Sequence, residues 1–180
     1  MATTFGKTDA MPIHRQRAAL GLIAVLVIAA CTHKDTEDPT DADLLELAMR
    51  TEGAVWYKES EALLPKSSGS GHAQPLLRTR YNTIAASVLD TNGKVIPDTI
   101  FPNGSAIVKE LYDDGATLAQ YAVLFKKPSH PYADADGWVW GYVRPDGEVR
   151  EPARNKGAAC RGCHSQENNI DFTLMNAYFP

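Results

Sequence analysis

Leu118-Ala119-Gln120-Tyr121-Ala122-Val123-Leu124-Phe125-Lys126-Lys127 reads as a β-strand. Side chains alternate across a strand, so Ala119, Tyr121, Val123 and Phe125 share one face while Gln120 and Lys126 fall on the other. The same kind of run recurs on both sides of it. Upstream, residues 81–89 form a strand that leads into Asp90-Thr91-Asn92-Gly93, and an Asn-Gly pair between strand-like runs is a strong hairpin signal. Residues 95–101 enter the turn Pro102-Asn103-Gly104, and residues 106–112 end at Asp113-Asp114-Gly115. Downstream, the polar loop 128–137 precedes a strand over 138–143, and Arg144-Pro145-Asp146-Gly147 turns the chain again. Strands this closely spaced, with no helix between them, predict an antiparallel sheet. The expected class is α+β: mainly antiparallel β-sheet, one N-terminal helix and a short C-terminal helix.

The N-terminal helix is expected to start at a Thr40 or Asp41 cap and to run to Met49, with Leu44, Leu47 and Ala48 on one face. Asp43 and Glu46 complement its positive end. Trp56 and Tyr57 are expected to pack this helix onto the domain. Residues 65–75 are a loop by composition, in which His72 is a candidate distal-side residue, with a solvated loop histidine as the plainer expectation.

The start of the chain reads as an export signal. His14, Arg15 and Arg17 form a basic region, residues 18–30 an apolar one, and Ile28-Ala29-Ala30-Cys31 ends it with small residues before a cysteine. Thirteen apolar residues are short for a membrane-spanning helix. The arrangement resembles a bacterial lipoprotein signal, which implies cleavage before Cys31 and lipidation of its thiol. Met11 is a candidate start, because a signal beginning there has the usual proportions. The expected organisation is therefore a signal over 1–30, a flexible polar tether over 31–40 and a folded domain over 41–180. Localisation would be the bacterial cell envelope, lipid-anchored and periplasm-facing, with the outer membrane as one destination. Loss of residues 1–30 removes Lys7, Arg15, Arg17 and Asp9, so 18 basic and 22 acidic side chains become 15 and 21, near −6 in net charge. An acidic surface argues against nucleic acid as a partner and suits a basic redox partner protein. Contact with the membrane is expected only through the lipid.

Cys160-Arg161-Gly162-Cys163-His164 carries the chemistry. The C-x-x-C-H pattern reads as covalent haem c attachment. Two thiols add across the vinyl groups on one porphyrin edge, and the imidazole that follows turns under the ring to reach iron. Cys160 and Cys163 would be the thioether anchors and His164 the proximal ligand. A redox dithiol or half of a zinc site are the alternatives. The chain has no second C-x-x-C to complete a zinc tetrahedron. A helical turn over 158–164 is needed to present both sulfurs and the imidazole together. Of the residues downstream of His164, Met175 is the one methionine, and eleven residues is a short path around a porphyrin edge, so packing is its expected role.

Several blocks taken together resemble cytochrome P460 and its relatives, the β-fold cytochromes c′. These are Phe101-Pro102-Asn103-Gly104-Ser105, Ile107-Val108-Lys109-Glu110, Tyr121-Ala122-Val123-Leu124-Phe125-Lys126-Lys127, Gly137-Trp138-Val139-Trp140-Gly141-Tyr142 and the closing haem motif. The resemblance covers roughly residues 76–166. It implies one covalent haem c per chain, five-coordinate with an open distal face, in a β-rich domain that is a homodimer in characterised relatives. It also implies a small nitrogenous ligand or a diatomic gas as partner. Cytochrome P460 oxidises hydroxylamine and has a lysine covalently linked to its porphyrin, whereas the β-fold cytochromes c′ lack the link and bind nitric oxide or carbon monoxide.

The division between those activities turns on one lysine, with Lys94 and Lys109 as the candidates. Lys94 stands in the Asn-Gly turn and Lys109 on a strand beside Glu110. Glu110 is the best placed carboxylate for a catalytic base near the iron-bound nitrogen, although a solvent-facing side chain is the plainer expectation. Arg78 and Arg80 are candidate propionate partners. Phe101 either caps the distal face or fills the core. Trp138, Trp140 and Tyr142 share a face, against the haem or a dimer partner. The competing reading is a six-coordinate electron-transfer cytochrome c, in which Met175 or a lysine closes the iron and no catalysis occurs.

Overall fold

The computed structural model of the chain describes residues 1–3 and 38–180. The export signal, Cys31 and most of the tether lie outside the described residues. Helix α1 spans Pro39–Met49 and starts earlier than expected, because Asp38 takes the cap: its carboxylate accepts from Thr40 N at 2.9 Å and Pro39 occupies the first turn, where a missing N–H costs nothing. Asp41 is instead buried and accepts from Ala153 N at 2.8 Å, tying the helix to the far end of the chain.

Seven strands form one antiparallel sheet: β1 (Val55–Trp56), β2 (Leu64–Pro65), β3 (Leu76–Tyr81), β4 (Ala106–Tyr112), β5 (Leu118–Lys126), β6 (Trp138–Val143) and β7 (Val149–Glu151). The spatial order is β1-β3-β4-β5-β6-β7, and β2 also pairs with β3. Class and architecture are those expected, while two strand assignments differ. The strand expected at 81–89 ends at Tyr81. Asn82 then caps the single-turn helix α2 (Thr83–Ala86), accepting from Ala85 N at 2.8 Å. Residues 95–101 contribute only an isolated bridge between Leu89 and Val95. Pro97 brings no donor to a ladder, and the hairpin closes on backbone bonds from Asp90 N to Lys94 O and from Ile96 N to Val88 O, helped by the Asp90 carboxylate, which takes the N–H groups of Asn92 and Lys94 at 2.8 and 2.9 Å.

Alternation divides the core into two layers. On one face Leu44 and Ala48 of α1 pack against Val108, Tyr121, Val123 and Val139. Gly141 permits this approach, since a Cβ there would stand 2.6 Å from Leu44 Cδ1. The opposite face carries Leu77, Tyr81, Ile107, Leu124, Trp138 and Trp140, covered by the C-terminal segment with α3 (Arg161–His164) and α4 (Met175–Tyr178). Tyr57 belongs to this second layer rather than beside α1, and its hydroxyl donates to Phe179 O at 2.7 Å. The C-terminal helix is shorter than expected: α3 begins only at Arg161, after turns through residues 156–160.

Candidate functional site

Thr79, Lys109, Ala122 and Tyr142 are register partners across β3, β4, β5 and β6, which puts them in one row on the face covered by the C-terminal segment. Ala122 leaves space in the middle of that row. Beside the small cavity of about 30 Å³ that Ala122 lines, a cleft of about 300 Å³ opens past Lys109 and Tyr142, walled also by His72, Cys160, Cys163 and His164. Its volume falls at the lower end of the roughly 300–1,000 Å³ usual for small-molecule and cofactor sites.

Helix α3 is fixed from several sides. Arg161 pairs with Asp134 and, at 2.8 Å, with Asp136, while its guanidinium lies 4.8 Å from the Phe172 ring centre. Trp140 donates to the same Asp134 carboxylate at 2.7 Å and meets the His164 ring edge-on at 5.2 Å. Gly157 lets the chain pass over that indole. It has φ +69°, and a Cβ would stand 2.5 Å from Trp140 Cγ.

The His164 ring has a defined tautomer. Its Nδ1 lies 2.7 Å from the Phe172 carbonyl oxygen. A carbonyl can only accept, so Nδ1 carries the proton and Nε2 is left with its lone pair. Burial pushes the imidazole down to about 4, keeping it neutral near pH 7. A hydrogen bond from the far ring nitrogen to a backbone carbonyl is the usual second-shell arrangement of a metal-ligating histidine. Cys160 and Cys163 are free thiols on the same cleft. Two thiols, a neutral imidazole with Nε2 open and a cleft part-walled by apolar side chains are the donor set that covalent haem requires.

The alternatives for this motif fit less well. Burial raises the Cys160 thiol to about 11, whereas a reactive dithiol needs a depressed value. Among the described residues no three His, Cys, Asp or Glu side chains are grouped to hold a metal ion by themselves.

The remaining candidates separate by face. Lys109 lines the cleft, and burial lowers its ammonium to about 8. Lys94 lies in the turn it was read in and does not line the cleft. Glu110, next to Lys109, points to the α1 side. It is buried there, pairs with Arg78 at 2.6 Å and with Arg80, and accepts from Tyr112 Oη at 2.8 Å. Arg80 also donates to the Ala48 carbonyl at the end of α1. Neither arginine lines the cleft; each is committed to Glu110. Phe101 lies in the core, parallel to Tyr81 at 6.3 Å and edge-on to Trp138 at 5.7 Å. Of the two expectations for Phe101, core filling is the one its position matches.

His72 departs most from expectation. It is 8 % exposed, not solvated, and bridges two other cleft residues: Nδ1 is 2.5 Å from Tyr142 Oη and Nε2 is 3.1 Å from Lys109 Nζ. A flanking Ser-Gly-rich loop hid it, yet Lys109 between Ile107 and Leu111 on an apolar face was a signal that a polar partner had to be supplied from elsewhere.

No curated protein compared with the chain matches it. The family model for cytochrome P460 matches residues 54–175, a span that includes the sheet, His72, Lys109, Tyr142 and the whole C-x-x-C-H motif and covers more than half of the sequence, so the chain belongs to the cytochrome P460 family.

Proposed function

We propose that this haem cytochrome holds one covalent haem c through Cys160 and Cys163, with His164 as proximal ligand, and that its open site binds and oxidises a small nitrogenous molecule, hydroxylamine or nitric oxide. The observation that carries the reading is Lys109. It alone of the two candidate lysines lines the cleft of the haem motif, and its lowered pKa leaves roughly a tenth of it as neutral amine at pH 7, against roughly one part in three thousand for an unperturbed lysine. A neutral amine is the form that can bond to carbon, which favours the lysine-linked, hydroxylamine-oxidising members over the gas-binding ones. When bound, haem supplies an iron that coordinates the ligand nitrogen and takes up electrons.

The chain's own contribution is proton handling. A carbonyl-locked His164 keeps its proton at Nδ1. On the sheet side the sequence Lys109 Nζ, His72 Nε2, His72 Nδ1, Tyr142 Oη forms an unbroken hydrogen-bonded line. A neutral imidazole donates from one nitrogen and accepts at the other, so a proton accepted at Nε2 is matched by one given up from Nδ1. This line replaces Glu110 as the candidate base system.

Export, lipid attachment at Cys31 and a periplasm-facing, envelope-bound location belong to the same proposal, as do a basic redox partner and a homodimer. The sequence pattern of residues 14–31 supports the export and lipid attachment, the acidic balance of the remaining chain supports the basic partner, and the homodimer rests on the family resemblance alone. The electron-transfer alternative is less favoured by the placement of Met175, whose sulfur accepts from Thr79 Oγ1 at 3.2 Å in the buried core.

The test is the purified protein's ferrous absorption spectrum and the mass of its haem peptide. Covalent haem with a main band far to the red of ordinary haem c, lost in Lys109→Arg, is expected together with hydroxylamine-dependent reduction of an electron acceptor. Absence of covalent haem, or a six-coordinate low-spin ferrous spectrum, would overturn the proposal.

A further inference from the structure

Residues 170–173 form a two-residue hairpin in which Ile170 and Thr173 exchange both backbone hydrogen bonds at 2.9 Å. Its two turn residues are Asp171 with φ +43° and Phe172 with φ +67°. Such a turn with both central residues left-handed is ordinarily made by Asn-Gly or Asp-Gly. A phenylalanine there is a genuine outlier, a strained conformation that the surroundings must hold in place.

Asn169 Oδ1 accepts from Phe172 N at 2.9 Å, and the turn is held to the sheet by the Asp171 carboxylate. Both its oxygens accept from Lys126 Nζ, at 3.0 and 2.9 Å. Oδ1 also accepts from Trp138 Nε1 at 3.1 Å, and Oδ2 from Phe101 N at 2.9 Å. The pair is nearly sealed, with side-chain exposures of 7 % for Lys126 and 9 % for Asp171, and Lys126 Nζ lies 4.6 Å from the Trp138 ring centre. Asp171 is thus nailed to the end of the sheet by three separate donors. The next residue in the turn offers the carbonyl that accepts from His164 Nδ1 at 2.7 Å.

We propose that Asp171 is a positioning residue for the proximal histidine: by clamping the strained turn to Lys126 and Trp138 it sets the Phe172 carbonyl against His164 Nδ1 and so tunes the imidazole's donor strength toward iron. The inference rests on the reading of His164 as the iron ligand. A carbonyl accepting from Nδ1–H gives Nε2 more electron density, and hydrogen bonding around the axial ligand is one of the levers on haem potential. The simpler role, an anchor for the C-terminal tail, would involve Asp171 in stability alone.

The experiment compares the haem-loaded parent, Asp171→Ala and Asp171→Asn/Phe172→Gly by resonance Raman of the ferrous protein and by redox titration. Alanine removes the clamp. Asn-Gly removes the charge but forms this turn on its own. In Asp171→Ala the iron–histidine stretching band is expected at lower frequency and the potential higher, while the Asn-Gly variant returns both toward the parent despite lacking the ion pair. If Asp171→Ala fails to load haem, the Asn-Gly variant alone decides, by whether its band stands at the parent's position. An unmoved band and potential in Asp171→Ala, with only a lower melting temperature, would overturn the proposal, as would an Asn-Gly variant shifted as far as the alanine one. A parent protein with no iron–histidine band at all would instead mean that His164 is not the ligand, a separate failure.

Discussion

Lys109 and Glu110 are consecutive in β4 and serve opposite sides of the sheet: Lys109 Nζ is 3.1 Å from His72 Nε2 in the cleft, while Glu110 is held between Arg78 and Arg80 on the side covered by α1. Removing Glu110 would leave Arg80, 2 % exposed, without its countercharge. Breaking a buried pair in this way costs about 3–5 kcal/mol. Glu110→Ala is therefore expected to lose that much stability in a denaturant titration, with the haem absorption spectrum unchanged. A variant of normal stability with an altered spectrum would place Glu110 at the iron instead.

Lys109 has a pH signature. Burial lowers its ammonium from 10.5 to about 8, so between those values the unfolded chain holds a proton that the folded chain has given up. Stability then rises with pH across this window. The penalty is complete below about pH 8 and relieved by about pH 10.5. In protein made without haem, Lys109→Met is expected to exceed the parent by a few kcal/mol at pH 7, since each pKa unit is worth roughly 1.4 kcal/mol. The advantage should shrink steadily to near zero by pH 10.5. Parallel stability curves for the two chains from pH 7 to 10.5 would refute this.

The fold was legible because β4, β5 and β6 alternate clearly and end in turn residues, and Cys160 to His164 stood out as the candidate haem-attachment site because its residue types and spacing are those that covalent haem would need. The cleft opposite was not. A strand pattern tells which residues share a face, as it does for Lys109 with Ile107, but it does not tell which face receives the C-terminal segment. His72 reaches the cleft from a loop with no period to read, and Asp171 acts through a left-handed turn that Asp-Phe does not advertise. The strand misread at 81–89 has a local cause, an Asn82 side chain that caps a helical turn instead of joining the ladder.

Tyr142→Phe tests the proton line. It deletes the 2.5 Å contact to His72 Nδ1 and leaves a buried ring nitrogen without a partner, worth about 1–3 kcal/mol of stability. If the line serves as acid–base system, hydroxylamine oxidation should fall by about 10²-fold or more, while nitric oxide binding to the ferrous protein is retained. Unchanged turnover in Tyr142→Phe would remove Tyr142 from the proton path.

Gly157→Ala targets the approach of the chain to Trp140. The new Cβ meets the indole at 2.5 Å, and φ +69° is unfavourable to alanine. Overpacking of this kind costs about 1–3 kcal/mol, and here the displaced indole is the one that meets His164 edge-on and bonds Asp134. A lower melting temperature together with a smaller fraction of chains carrying haem is expected. Full haem loading in a destabilised Gly157→Ala protein would mean that the indole supports the core without holding the motif.

Met175 separates the open-site reading from the electron-transfer one. Its side chain is 3 % exposed, packs in the layer that contains Trp140, and its sulfur accepts from Thr79 Oγ1. Truncation should act as a cavity mutation, costing about 2–5 kcal/mol. It should also leave Thr79 Oγ1, itself buried, without an acceptor. Met175→Ala is thus expected to lower stability while its Soret band, potential and ferrous ligand binding stay with the parent. A methionine ligand behaves differently: its loss would turn a six-coordinate low-spin spectrum into a five-coordinate one and move the potential. That result would establish the electron carrier and withdraw hydroxylamine oxidation, because an iron closed on both faces has no place for the substrate nitrogen.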